Sequence, residues 1–278
     1  QVANRLKVVG FIRDRNAFIT YCSLHGLRTR LQAASYSLTP AASAVRIAEI
    51  LTQGEATSNR LVIPEGYTLA QIRQRAAKYG IEPAAFNAAL AEPHAQAFLA
   101  GKPAGVSLEG YLFPDSYDVS SGVTASKLVD QMLTTFGKRV GSEYADAFQA
   151  EGLTLHQGLT LASIVEREVN IPADRPVVAQ IFLKRFRDGQ SLGSDVTTHY
   201  AADQLGVPFN VDLNSPYNTR KVVGLPPGPI CNPGLPALDA AAHPAATDYT
   251  YFLTGRDGRT YFAKTYAEHQ RNIARYLN

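Results

Sequence analysis

Glu166 is the residue whose type and setting most suggest chemistry. It lies in Leu161-Ala-Ser-Ile-Val-Glu-Arg-Glu168, a run with helical periodicity. At about 100° per residue, Leu159, Leu161, Ala162, Val165 and Val169 share one apolar arc. Glu166 falls inside that arc, between the directions of Leu159 and Ala162. Arg167 points away and Glu168 sits near the arc's far edge. A carboxyl turned toward a packed face loses hydration, which favours its protonated form. That form can protonate an acetal oxygen, as a general acid does in glycoside cleavage. The same position has a plainer use, because an inward Glu on a helix more often pairs with an Arg or caps a neighbouring loop.

Other carboxyls compete. Glu109 and Asp115 flank the aromatic loop Leu108-Glu-Gly-Tyr-Leu-Phe-Pro-Asp115, and either could pair with Glu166. Asp195 in Gly193-Ser-Asp-Val196 is a further candidate, although Asp and Ser in such loops usually bond their own backbone. Tyr111, Phe113, Tyr117, Tyr200 and Tyr217 would suit stacking on sugar rings if exposed; core packing is the commoner use of such residues. Rival chemistries lack their motifs, for there is no HExxH, GxSxG or GxxxxGK[ST]. His156, His199, His243 and His269 are scattered without ligand spacing. Cys22 and Cys231 are far apart, which suits two buried thiols or one long-range disulfide.

The elements that must position these residues can be read from caps and breakers. Helices are expected over Ala3–Val9, Asn16–His25 and Ala44–Thr52, with a strand from Leu31 to Leu38 and another from Asn59 to Ile63. A helix from Gln71 toward Gly80, with Phe86 on the next helix, echoes Asn4–Gly10 with Phe18. Two ordinary helix–turn–helix units explain that echo as well as a duplication does. Further helices are expected over Ala125–Phe136, Ser142–Glu151, Thr154–Val169 and Pro176–Arg187. The last part reads as loop-rich. Strands at Tyr249–Leu253 and Thr260–Ala263 flank the turn Gly255-Arg-Asp-Gly258, and a helix closes the chain from Tyr266 to Leu277.

With 278 residues and 45% apolar content, the chain can bury one large core or two ordinary ones. Lys+Arg 27 against Asp+Glu 24 leaves a formal charge of +3 and no basic block, so no nucleic acid is expected as a partner. There is no run of eighteen apolar residues. The sequence begins at Gln1 rather than Met, and the expectation is that a targeting or anchoring segment precedes it in a longer protein.

Taken together, Ala162-Ser-Ile-Val-Glu166-Arg-Glu168, Leu108–Asp115, Tyr217-Asn-Thr219, Gly224-Leu-Pro-Pro-Gly-Pro-Ile230 and Ala241-Ala-His-Pro244 closely resemble the MltG (YceG-like) family of endolytic murein transglycosylases. The resemblance covers nearly the whole chain and is strongest from Leu108 onward. It implies an α+β fold, with a small LysM-like module over residues 1–66 and a larger mixed α+β catalytic domain over residues 67–278. Residues 31–38 and Ile63-Pro-Glu-Gly66 carry the LysM-like part, which begins at or inside its first helix rather than with the family's leading strand. Ala34-Ser35 stands where the family often has a glycine, and Val196 where it commonly has Pro.

The family's catalytic Glu lands on Glu166. The resemblance implies a single carboxyl acting first as acid on the bond between N-acetylmuramic acid and N-acetylglucosamine. It would then act as base on the muramic C6 hydroxyl, leaving a 1,6-anhydro end. Glu109, Asp195, Tyr217, Asn218 and Thr219 are the residues expected to shape the cleft and hold sugars. No cofactor and no metal is expected. The implied partners are peptidoglycan glycan strands and cell-wall synthases (penicillin-binding proteins). The implied location is the bacterial cytoplasmic membrane, through an N-terminal anchor, with the catalytic domain on its extracytoplasmic side. A non-catalytic peptidoglycan-binding scaffold and a water-using glycoside hydrolase are the alternatives.

Overall fold

The computed structural model describes residues 2–31, 36, 38, 42–53, 60–119 and 123–277. The chain divides into two compact units, Gln1–Leu61 with Asp118–Val123, and Val62–Tyr117 with Thr124–Asn278.

In the first unit, α1 (Val2–Val8), α2 (Arg15–Leu24) and α3 (Ala44–Gln53) are short helices. The Asp14 side chain accepts the Ala17 N–H at 2.7 Å and so fixes where α2 begins. Leu6, Phe18, Cys22, Ile47, Ala48 and Leu51 form the core, and the Tyr36 hydroxyl donates to the Leu51 carbonyl at 3.2 Å. The strand expected from Leu31 to Leu38 falls mostly outside the described residues.

β1 (Arg60–Val62) pairs with β2 (Ser116–Asp118) in a two-stranded sheet. The second unit then proceeds through α4 (Leu69–Ala77), α5 (Pro83–Ala91) and α6 (Ala125–Arg139). α7 (Gly141–Ala150), α8 (Leu155–Glu168), α9 (Arg175–Arg187), α10 (Asp195–Leu205) and α11 (Leu235–Ala242) follow. β3 (Tyr251–Thr254) and β4 (Thr260–Ala263) form an antiparallel hairpin in which Phe252 faces Phe262, and α12 (Tyr266–Tyr276) closes the chain. Helices with two small two-stranded sheets make this an α+β protein.

Two of these helices were not expected. The sequence around Asp195 reads as a turn, yet α10 starts there. Leu235-Pro-Ala-Leu-Asp-Ala-Ala-Ala242 looks loop-like because of the prolines before it, yet it forms α11, with Pro236 in the first turn, where its missing N–H costs nothing.

α8 is the organising element. A reciprocal cap starts it: Gln157 N–H donates to Thr154 Oγ1 and Thr154 N–H donates to Gln157 Oε1. From Gly158 to Val165 every residue is buried. The helix is therefore surrounded, not striped, and α11, α9, α7 and α10 all pack on it. Its buried hydroxyls are satisfied by the helix itself, Thr160 donating to the His156 carbonyl and Ser163 to the Thr160 carbonyl, each at 2.7 Å.

Candidate active site

Glu166 emerges in the last turn of α8, where the helix leaves the core. Its side chain is only 8% exposed, but it is not surrounded by apolar groups alone, as the helical arc suggests. Arg175, itself 7% exposed, forks onto it. Arg175 Nη2 donates to Glu166 Oε1 at 2.8 Å and Nη1 donates to Oε2 at 3.4 Å. Oε2 also accepts the Gly234 backbone N–H at 3.1 Å. Arg175 is held in turn by its Nε, which donates to the Val169 carbonyl at 3.1 Å. Both oxygens of Glu166 thus face donors, two of them on a cation, which fixes how the carboxyl is oriented. The plainer use of an inward Glu, pairing with an Arg, is what the geometry contains.

Short loops complete the surround. Gly66, at φ +76°, lies in a conformation that L side chains rarely adopt, and a Cβ built on it would sit 3.6 Å from Glu166 Cγ. The turn before α4 therefore lies against the Glu166 stem. Arg167, exposed beside it, donates to the Gly66 carbonyl at 3.4 Å. Gly234 gives α11 its start and brings its N–H to Glu166; a Cβ there would fall 1.9 Å from the Glu65 carboxyl carbon. Glu65 is thus packed on the same glycine that bonds Glu166.

Glu109 has a different setting. It is 2% exposed, and the Leu69 N–H donates to its Oε1 at 3.0 Å. Asn232 Nδ2 donates to Oε1 at 2.9 Å and the Tyr200 hydroxyl to Oε2 at 3.4 Å. Burial pushes its carboxyl up to about 8, against the pull of those hydrogen bonds. With no solvent face, Glu109 ties the α4 N-terminus to Asn232 and Tyr200; the expected sugar contact gives way to this internal role. Asn232 reinforces the tie, its Oδ1 accepting the Leu112 N–H at 2.9 Å.

The other expected site residues separate by exposure. Asn218 and Thr219 are fully buried. Asn218 Oδ1 accepts from Thr198 Oγ1 at 3.0 Å, and the Thr219 hydroxyl lies 2.9 Å from that of Thr197. They shape the loop after α10 from within and cannot touch a ligand in this arrangement. Asp195 reaches the surface, its side chain 46% exposed and ion-paired with Arg220. Tyr217 is half-buried against Tyr200, with ring centroids 5.0 Å apart. Tyr111, Phe113, Tyr117 and Tyr200 are buried, so core packing is their use. Asp115 pairs with Arg139 at 3.5 Å and not with Glu166. Glu168 is half-buried, the Ser194 hydroxyl donates to it, and the covering of its carboxyl raises it above the ordinary range.

Sequence reading missed Arg175, Gly234 and Glu65. Arg175 stands nine residues from Glu166, across the break between α8 and α9, where no periodicity links them. Asn232-Pro-Gly234 was legible only as part of the loop-rich end, and Ile63-Pro-Glu-Gly66 only as part of the LysM-like module. Cys22 and Cys231 are both free and buried. Among the described residues no group of three His, Cys, Asp or Glu could hold a metal ion, and no helix is long and apolar enough to cross a membrane.

Comparison with known proteins adds to this geometry. The model of the YceG-like family matches residues 1–275. Over its whole length the chain is 30% identical to the endolytic murein transglycosylase of Streptococcus pneumoniae serotype 2 strain D39, covering 56% of that protein. Over 62% of its length it is 36% identical to the endolytic murein transglycosylase of Bacillus subtilis strain 168, covering 48% of that one. The chain therefore spans about half the length of the curated relatives it matches. A crystal structure of a yceG-like protein from Listeria monocytogenes superposes with a TM-score of 0.68 at 31% identity, over 97% of this chain and 94% of that one.

Proposed function

The chain belongs to the YceG-like family, and from that premise we propose that it is an endolytic peptidoglycan lytic transglycosylase. It cleaves the bond between N-acetylmuramic acid and N-acetylglucosamine within glycan strands and leaves 1,6-anhydro ends. The relatives named endolytic murein transglycosylase support the substrate and the reaction class. The observation that carries the reading to a residue is the setting of Glu166: a carboxyl at the end of the central helix, oriented by Arg175 and the Gly234 N–H.

In the proposed reaction Glu166 takes the proton of the muramic C6 hydroxyl as that oxygen attacks the anomeric carbon. Arg175 and the Gly234 N–H hold the carboxylate in place before the substrate arrives, so its orientation need not be won during the reaction. Proton donation to the leaving oxygen is the other half of the chemistry. On the single-carboxyl reading Glu166 supplies that proton first and takes the C6 proton afterwards. Of the residues expected to hold sugars, Asp195 and Tyr217 have the exposure to do so, while Glu109, Asn218 and Thr219 set the cleft from behind.

We further propose that the first compact unit, Gln1–Leu61 with Asp118–Val123, is the LysM-like glycan-binding module, which ends before Glu65 and Gly66. The protein would act at the outer face of the bacterial cytoplasmic membrane, held by an N-terminal anchor and working beside cell-wall synthases. The family resemblance supports these readings.

Mass analysis of digested glycan strands tests the reaction. Anhydro ends are expected; reducing ends would mean a water-using hydrolase, and intact strands a non-catalytic binder.

A further inference from the structure

We propose that Glu65 is a second catalytic carboxyl, the proton donor that works with Glu166 as base. The inference rests on the glycan-cleaving reading and says which group protonates the departing sugar.

Two contacts place Glu65 beside Glu166. The Glu65 carboxyl lies on the Cα of Gly234, so closely that a Cβ there would stand 1.9 Å from its carbon and 2.0 Å from one oxygen. The N–H of the same glycine donates to Glu166 Oε2 at 3.1 Å. From the other side, the next residue, Gly66, packs on Glu166 Cγ, and Arg167 donates to the Gly66 carbonyl. The Pro64-Glu-Gly66 turn is therefore fixed over Glu166, with Glu65 as its side chain toward the reaction centre.

The surroundings of the two carboxyls are unequal in a way that divides their roles. Glu166 is nearly covered and faces three N–H donors, two of them on Arg175. Glu65 is exposed, and its carboxyl accepts no hydrogen bond from the described residues. Arg175 forks onto Glu166 and not onto Glu65, so Glu65 is the carboxyl left without a cation bonded to it. Partial covering of the carboxyl against Gly234 first and the nearby Glu166 second push Glu65 upward, with Arg175 opposing them. Exposure gives Glu65 access to the glycosidic oxygen of a bound strand.

The step balances without any co-reactant. The Glu65 O–H proton passes to the glycosidic oxygen, and the bond from that oxygen to the muramic anomeric carbon breaks. The C6 oxygen bonds that carbon and gives its proton to Glu166. Glu65 ends as carboxylate and Glu166 as acid, and one proton passed from Glu166 to Glu65, directly or through solvent, restores the pair. A general acid typically contributes about 10²–10⁴-fold.

Two substrates separate this role from a structural one. One is the natural glycan strand. The other is a dinitrophenyl glycoside of N-acetylglucosaminyl-N-acetylmuramic acid, whose leaving group departs without a proton. Glu65→Gln is expected to lose about 100-fold or more in kcat/KM on strands and to stay within about tenfold of wild type on the aryl glycoside. Glu166→Gln is expected to lose activity on both. Near-normal strand cleavage by Glu65→Gln, or equal loss on both substrates with the thermal melt unchanged, would overturn the assignment. So would rescue of Glu166→Gln by the aryl glycoside. If wild-type protein released nothing from either substrate, the glycan-cleaving reading itself would fail, and this inference with it.

Discussion

Glu109 and Glu166 are both carboxyls withdrawn from water in the same unit, and both lie in motifs that resemble one family. Their partners differ. Glu109 is met by neutral donors, the Leu69 N–H, Asn232 and the Tyr200 hydroxyl, and burial keeps a proton on it to about 8. Glu166 is met by a guanidinium and the Gly234 N–H. Burial alone therefore does not separate the two settings. The charge of the partner and the nearness of a second carboxyl do. Glu109 joins elements, while Glu166 stands where two turns, a helix end and Glu65 meet.

The comparison can be broken most directly at Arg175. Arg175→Met leaves Glu166 covered without its cation, and breaking one partner of a buried pair costs about 3–5 kcal/mol. Denaturant unfolding should show a loss of that order, and the double variant with Glu166→Gln should recover much of it. If the single variant were as stable as wild type, the pair would not be the buried contact described here.

Glu109 should respond to pH in the opposite sense to a salt-bridged carboxylate. Its folded carboxyl titrates near 8 against an ordinary 4.5, so the native state holds a proton that the unfolded chain releases between those values. The group's contribution to stability is fully present below 4.5 and is lost as pH rises through 8. Unfolding at pH 5 and pH 9 should differ by on the order of a few kcal/mol from this group. Glu109→Gln, which cannot ionise, should flatten the difference and still cleave strands. A steep loss of cleavage with unchanged stability would return Glu109 to the substrate.

Gly234→Ala sharpens the contrast at smaller cost. The backbone there, at φ −83°, accepts Ala, but the new methyl must displace the Glu65 carboxyl. Strand cleavage should fall roughly tenfold, about 1.4 kcal/mol in the barrier, with a melting temperature close to wild type. The smallest effect is expected at Asp195. Its pair with Arg220 is about half exposed on both sides, so Asp195→Asn should change stability by less than about 1 kcal/mol. A severalfold rise in KM at that position, with kcat kept, would identify it as a sugar contact.

Much of the fold was legible wherever a local signal sufficed. The run from Thr154 to Val169 marked α8, and Gly255 to Gly258 marked the hairpin. α10 was hidden because Gly193-Ser-Asp reads equally as a turn or as the start of a helix. α11 was hidden by the prolines preceding it. At the site, periodicity turned Glu166 inward, but the arc it assumed had an outer face, and α8 is buried nearly all round. Arg175 and Gly234 reach Glu166 from separate loops, and Glu65 reaches Gly234 from a third. Such meetings are set by tertiary packing, which no spacing along one element encodes.

The central claim is tested most directly by digesting glycan strands with Glu166→Gln and Glu109→Gln side by side, both checked for a native melt, and weighing the products. The account predicts no cleavage products from Glu166→Gln and 1,6-anhydro ends from Glu109→Gln. Near-normal anhydro products from Glu166→Gln would contradict it.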